Sequence, residues 1–165
     1  MIIFITGGVK AGKSSRALEL AKQRGQFPIS FIATAEALDE EMRARIQRHQ
    51  EERASLGTFL TIEEPLALDQ ALLKAPSPVI VDCIPMWINN LMYYQREGDF
   101  HALLERFIQG MRDAIVVSNE TGLGNIPFDE ATRRYNLLLA EANRRIAAAA
   151  DRVELMVAGI PLRVK

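Results

Sequence analysis

One cysteine, Cys83, is present in 165 residues, so no disulfide can form within the chain. That suits a reducing cytoplasm, the expected location. A dominant charge sign is also missing. Twenty Lys and Arg face 21 Asp and Glu, for a net charge of -1. No strong overall field draws the chain to nucleic acid or an anionic membrane, so neither is an expected partner. Long apolar runs are absent. No stretch reaches the roughly 18 residues of a membrane span. The opening MIIFIT is too short for a signal-peptide core and runs into glycines. There is no internal repeat and no low-complexity tract. What remains is an ordinary globular composition, 48% hydrophobic and 25% charged. The length suits one compact domain over residues 1–165.

Short apolar runs alternate with helical periodicity. Ile2–Thr6, Ile29–Ala33, Thr58–Ile62, Val79–Val81 and Ile115–Ser118 read as strands, most of them of the type buried on both faces. Ser14–Arg24, Asp39–Arg53, Leu66–Leu73, Ile88–Gln95, His101–Met111 and Asp129–Ala149 read as helices. Asp39 and Asp129 are expected N-caps. Val153–Val157 and Leu162–Val164 are close enough for a hairpin around Gly159 and Pro161. The pattern predicts an α/β fold, a mainly parallel sheet flanked by helices with one antiparallel strand at its end. Ligands collect at the carboxyl ends of such strands.

One stretch carries chemistry by itself. Gly7, Gly8, Val9, Lys10, Ala11, Gly12, Lys13 and Ser14 satisfy G-x-x-x-x-G-K-[ST] between a strand and a helix start. The glycines let backbone N–H groups turn inward on phosphate oxygens, and the helix start adds positive potential. Lys13 can reach the β- and γ-phosphates, and Ser14 can supply a hydroxyl to Mg²⁺. Asp82, directly after the fourth strand, is the expected second Mg²⁺ ligand.

Two histidines are present. His101, near a helix start after GDF, receives no role. His49 shares a helix face with Met42, Ile46 and Arg53, at spacings of four, three and four. Arg45, Arg48 and Arg53 around it favour neutral imidazole, a nucleophile suited to a phosphorus electrophile. From spacing alone two readings stand: this nucleophile, or the commoner case of an inert histidine packed at the core edge.

The ordered set of motifs resembles the bifunctional adenosylcobinamide kinase/adenosylcobinamide-phosphate guanylyltransferase family of cobalamin biosynthesis. The likeness runs nearly end to end. It includes FITGGVKAGKSSRALELA, FIATAEALDEEMRARIQRHQEER, FLTIEEPL, VIVDCIPMWINNLM, VVSNETGLGNIP and the closing AGIPLRVK. The resemblance implies a RecA-like P-loop fold, probed by two reactions with GTP and ATP as substrates. A nucleoside triphosphate phosphorylates the aminopropanol hydroxyl of adenosylcobinamide. GTP then guanylylates a histidine, and the phosphorylated corrinoid takes up the GMP to give adenosylcobinamide-GDP. By position the histidine is His49. The resemblance also carries nucleotide contacts onto Ala33, Thr34, Ala35, Gln50, Glu51, Glu52, Arg53, Glu63 and Asp82, and implies a homotrimer. Asn119 and Glu120, after the fifth strand, carry no assigned role.

The chain departs from the family's pattern at a few places. Lys10 and Ala11 stand where Arg and Ser are usual, Pro85 stands for a threonine, Asn125 replaces an apolar residue, and the stretch from Gly98 to Ile115 is short. The residues alone leave two other readings open. One is a P-loop kinase for another small alcohol, without a covalent nucleotide intermediate. The other is a nucleotide-binding module without turnover.

Overall fold

The computed structural model describes residues 1–55, 57–124 and 126–165, so Asn125 lies outside the described residues. Seven strands form one sheet in the order β3-β2-β4-β5-β1-β6-β7. They are β1 (Ile2–Gly7), β2 (Ile29–Ala33), β3 (Phe59–Glu63), β4 (Val79–Asp82), β5 (Ala114–Val117), β6 (Arg152–Val157) and β7 (Ile160–Arg163). Every neighbouring pair is parallel except β6 with β7. The helices are α1 (Lys13–Gln23), α2 (Glu40–Ala54), α3 (Leu68–Lys74), α4 (Ile84–Tyr93), α5 (Phe100–Gly110) and α6 (Glu130–Ala149).

The central strands are buried on both faces, which is why they read as unbroken apolar runs rather than alternations. Along β1, Phe4 enters the core under α3 to α6, while Ile3 and Ile5 enter the core under α1. Trp87, Phe100 and Phe107 fill the larger core at 0% exposure. The Trp87 indole N–H donates to the Leu66 carbonyl at 2.9 Å, satisfying the one polar atom of that side chain.

One expectation changes. The fourth helix starts at Ile84, not Ile88, and Pro85 lies in its first turn. A first-turn residue has no helical acceptor for its N–H, so the proline removes no hydrogen bond there. The sequence turns one face of α2, with Met42, Ile46, His49 and Arg53, toward the protein or a cleft, and the structure places it on a cleft. Of its residues only Arg53 is buried. Met42, Ile46 and His49 are half-buried, because this face covers a cleft rather than the core. Asp39 caps the helix as expected, its Oδ1 accepting from the Met42 N–H at 2.7 Å.

The six parallel strands end along one edge of the sheet. The loop after β1, the exits of β2, β3 and β4, and helix α2 all meet there.

Candidate functional site

The P-loop arch begins at Gly7, with φ of 151°. A Cβ on Gly7 would sit 2.6 Å from the Met156 carbonyl oxygen of β6, so no side chain fits. Gly12, at φ 87°, turns the chain into α1. Between them Gly8, Val9 and Lys10 stand exposed and Ala11 is buried. Lys10 takes a left-handed φ of 56° without being glycine, a conformation that a functional loop commonly enforces. Lys13 is buried, its Nζ donating to the Gly8 carbonyl at 2.5 Å. Burial lowers its pKa, while the Asp82 carboxylate opposes the change and the Arg45 guanidinium adds to it. An ammonium starved of water at a helix start is suited to holding an anion.

Beside the arch lies a cleft of about 430 Å³. Ser14 forms its P-loop end. Ala33 and Ala35 flank the exit of β2, Glu63 lies at the exit of β3, and Asp82 at that of β4. The inward face of α2 closes it with His49, Gln50 and Arg53. Eight of the residues singled out in the sequence therefore share one cavity. Arg53 lies over Phe31, 3.9 Å from guanidinium carbon to ring centroid, a cation–π contact that holds a charge in a buried place. Its pKa is lowered by that burial, against the pull of Asp82, Glu63 and Glu52. Glu63 sits 3.4 Å from the Gln50 amide.

The His49 side chain is 39% exposed, and its Nδ1 lies 3.2 Å from Glu52 Oε2. With the proton on Nδ1, the lone pair is on Nε2. The polar partner of the imidazole is thus a carboxylate one helical turn away. Glu51 and Glu52 are both exposed. Neither lines the cleft. His101 is remote from this site and pairs with Glu141 at 3.2 Å.

Thr34 is placed differently from its neighbours. It is fully buried, and its hydroxyl bonds to the backbone of Cys83. Glu120 is tied to the P-loop, its N–H donating to the Gly7 carbonyl at 3.0 Å. Its Oε1 accepts from the Gly122 N–H at 2.6 Å. The Asn119 carbonyl accepts from Asn143 at 2.9 Å. Sequence reasoning missed Glu36, Glu64 and Met86 as cleft residues, whereas Arg45, already placed beside His49, does line the cleft. Glu36 and Glu64 lie on connections whose paths depend on tertiary packing, and Met86 lies in the first turn of α4, ahead of the expected start at Ile88. Cys83 also faces the cleft, and burial pushes its thiol up to about 12, which keeps it protonated.

Ser14 and Asp82 face the same cleft on adjoining elements. One hydroxyl and one carboxylate, with phosphate oxygens and water completing the shell, are a donor set that Mg²⁺ accepts. Among the described residues no group of three or more His, Cys, Asp or Glu is arranged to hold a metal by protein side chains alone. The set therefore fits a metal that arrives with a nucleotide.

Comparison with known proteins agrees with this geometry. The model of the CobU family, cobinamide kinase / cobinamide phosphate guanyltransferase, matches residues 3–164. The bifunctional adenosylcobalamin biosynthesis protein CobP of Pseudomonas aeruginosa is 39% identical, over 98% of this chain and 95% of that protein. The proteins named CobU of Salmonella typhimurium and Escherichia coli are 32% and 30% identical, each covered in full. The flagellar accessory protein FlaH of Methanocaldococcus jannaschii shares the fold, with a TM-score of 0.50 at 13% identity, over 99% of this chain and 77% of that one. With a P-loop, a cleft at the strand exits and a match over almost its whole length, the chain belongs to the family of bifunctional cobinamide kinases and cobinamide phosphate guanyltransferases of cobalamin biosynthesis.

Proposed function

We propose that the family's two reactions run at this one P-loop, in one domain, with His49 as the group that carries GMP. The observation that carries the reading is the shared cleft. Ser14 at the start of α1 and His49 on α2 face the same cavity, with Asp82 also on its wall. In the first reaction the γ-phosphoryl group of ATP or GTP passes to the aminopropanol hydroxyl of adenosylcobinamide, with Lys13 and the P-loop amides holding the phosphates. In the second, Nε2 of His49 bonds to the α-phosphorus of GTP. The bond from that phosphorus to the bridging oxygen breaks, and pyrophosphate leaves. A phosphate oxygen of adenosylcobinamide phosphate then attacks the same phosphorus, the P–N bond breaks, and His49 is regenerated. Glu52 orients the ring. Ser14 and Asp82 would hold Mg²⁺, which neutralises phosphate charge. Arg53, Gln50 and Glu63, with Ala33 and Ala35, form the rest of the nucleotide wall. The Lys10 ammonium keeps the positive charge of the usual arginine.

Incubation with GTP labelled at the α-phosphate, followed by denaturation, tests this. The protein is expected to keep label that acid removes and base does not, and His49→Ala to keep none while still phosphorylating adenosylcobinamide. Loss of both activities together in a folded His49→Ala variant would overturn the two-step assignment. The homotrimer implied by the family is proposed as well. It is supported by the fully exposed Phe128 and by Leu123 and Ile126 near it in the same loop, apolar groups that a neighbouring chain would cover.

A further inference from the structure

We propose that Thr34 and Asn90 form a buried brace that sets the spacing of the β2, β3 and β4 exits, and so positions the cleft walls without touching nucleotide. The inference rests on reading the cleft as the nucleotide site. Thr34 is 0% exposed, and each of its polar groups already has a partner. Its Oγ1 donates to the Cys83 carbonyl at 2.7 Å and accepts from the Cys83 N–H at 2.8 Å. Its own N–H donates to the Asp82 carbonyl at 3.2 Å. Its carbonyl accepts from Asn90 Nδ2 at 2.7 Å. No donor on this residue is left to offer a phosphate, and its buried position keeps it from any other ligand.

Asn90 completes the brace from α4. It too is 0% exposed. The same Nδ2 that bonds Thr34 donates to the Pro65 carbonyl at 3.1 Å. One amide nitrogen thereby spans the exits of β2 and β3, and the Thr34 hydroxyl joins both to the exit of β4. The arrangement has a cost. Asn90 Oδ1 is buried with no hydrogen-bond partner among the described residues, a penalty that an apolar side chain would avoid. A leucine would fill the space without that cost but would supply neither donor. The two donors are therefore the property of this residue that matters.

The residues held this way line the cleft. Ala33 and Ala35 flank Thr34, Asp82 precedes Cys83, and Glu63 and Glu64 precede Pro65. Fixing these segments before nucleotide arrives removes ordering that binding would otherwise have to supply. Thr34 and Asn90 are positioning residues, acting through the walls.

The test measures GTP affinity in Mg²⁺ by calorimetry, well below the melting temperature, for wild type, Thr34→Val, Thr34→Ser, Asn90→Leu and the Thr34→Val/Asn90→Leu double variant. Loss of the brace is expected to weaken binding about tenfold in each of Thr34→Val and Asn90→Leu. The double variant should bind no worse than either alone, since both break one device. Thr34→Ser, which keeps the hydroxyl, should bind like the wild type. A lowered Tm with unchanged affinity in Thr34→Val and Asn90→Leu would overturn the proposal, and so would additive losses. Where a variant does not fold, amide exchange in the wild type decides. The Cys83 N–H should exchange slowly, and exchange at the free-peptide rate would refute the brace. A wild type that binds no GTP but protects that amide would remove the nucleotide reading and leave the brace standing.

Discussion

Lys13 shows what a phosphate site demands of one side chain. An ammonium with little access to water is unfavourable unless an anion faces it, and burial lowers its pKa from the ordinary 10.5. Between that lowered value and 10.5 the unfolded chain binds more protons than the folded one, so this group's contribution to stability improves as pH rises through the window. Below the window the charged lysine is a steady penalty. Lys13→Met, which keeps the bulk and drops the charge, is therefore expected to melt no lower than the wild type at pH 7, while losing both phosphorylation and guanylylation. Scanning calorimetry beside the labelled-GTP assay checks this, and a clearly lower Tm would mean that the ammonium stabilises the fold. Lys13 and His49 were legible in the sequence for different reasons. The lysine belongs to an eight-residue pattern with a mechanism attached to each position. The histidine was ambiguous by spacing, and its Glu52 partner emerged only once α2 had a structure.

Among the elements, α1 is the one that both starts at the P-loop and carries half of an ionic tie to the sheet. Arg16 grips Glu154 of β6 with a fork, Nε to Oε2 at 3.0 Å and an outer nitrogen to Oε1 at 3.1 Å. Glu154 is 1% exposed. The Arg16 hydrogen bond holds its carboxyl below the ordinary 4.5, against burial, with Arg152 assisting. Because the folded value is depressed, the stability from this group is complete above about 4.5 and is lost as pH falls through the folded value. Arg16→Met leaves Arg152 as the remaining cation of the pair network and is expected to cost about 3 kcal/mol at pH 7. Its deficit against the wild type should shrink toward pH 3. Urea unfolding at the two pH values reads this, and an equal deficit at both would show that the fork contributes through packing alone. The strands and helices themselves followed from periodicity, with ends misplaced by a few residues. Helix α4 began early because its first turn tolerates a proline. Whether the shared face of α2 met the core or a cleft stayed open in the sequence, because half-buried and fully buried faces share one period.

At the scale of the whole molecule, the sheet has one free edge at β3 and another at β7. All four residues of β7 are exposed, Ile160 and Leu162 among them. Together with Leu123, Ile126 and Phe128 they leave more apolar surface open than the core elements would predict. Light scattering at micromolar concentration is expected to give three chains per particle. A mass of one chain under those conditions would remove the proposed trimer and leave the exposed phenylalanine unexplained. None of the helices is long and apolar enough to cross a membrane among the described residues, in line with the absence of long apolar runs.

The sequence by itself determined the class of fold, the phosphate loop and the family, because each of these is written in local order. Strand type follows from unbroken apolar runs, the loop from glycines at fixed spacing, and the family from motifs in sequence. Tertiary structure alone decided which of those residues meet. Ser14, His49, Glu63 and Asp82 are up to 68 positions apart in the chain, and only the strand order brings them to one cleft. It also separated residues that are adjacent in sequence. Ala33 and Ala35 reach the cleft, while Thr34 between them is turned into the protein, where its hydroxyl is held by the backbone of a strand exit 49 residues away. An extended chain sends successive side chains to opposite sides, and what lies on each side is fixed by the sheet order, which local sequence does not specify.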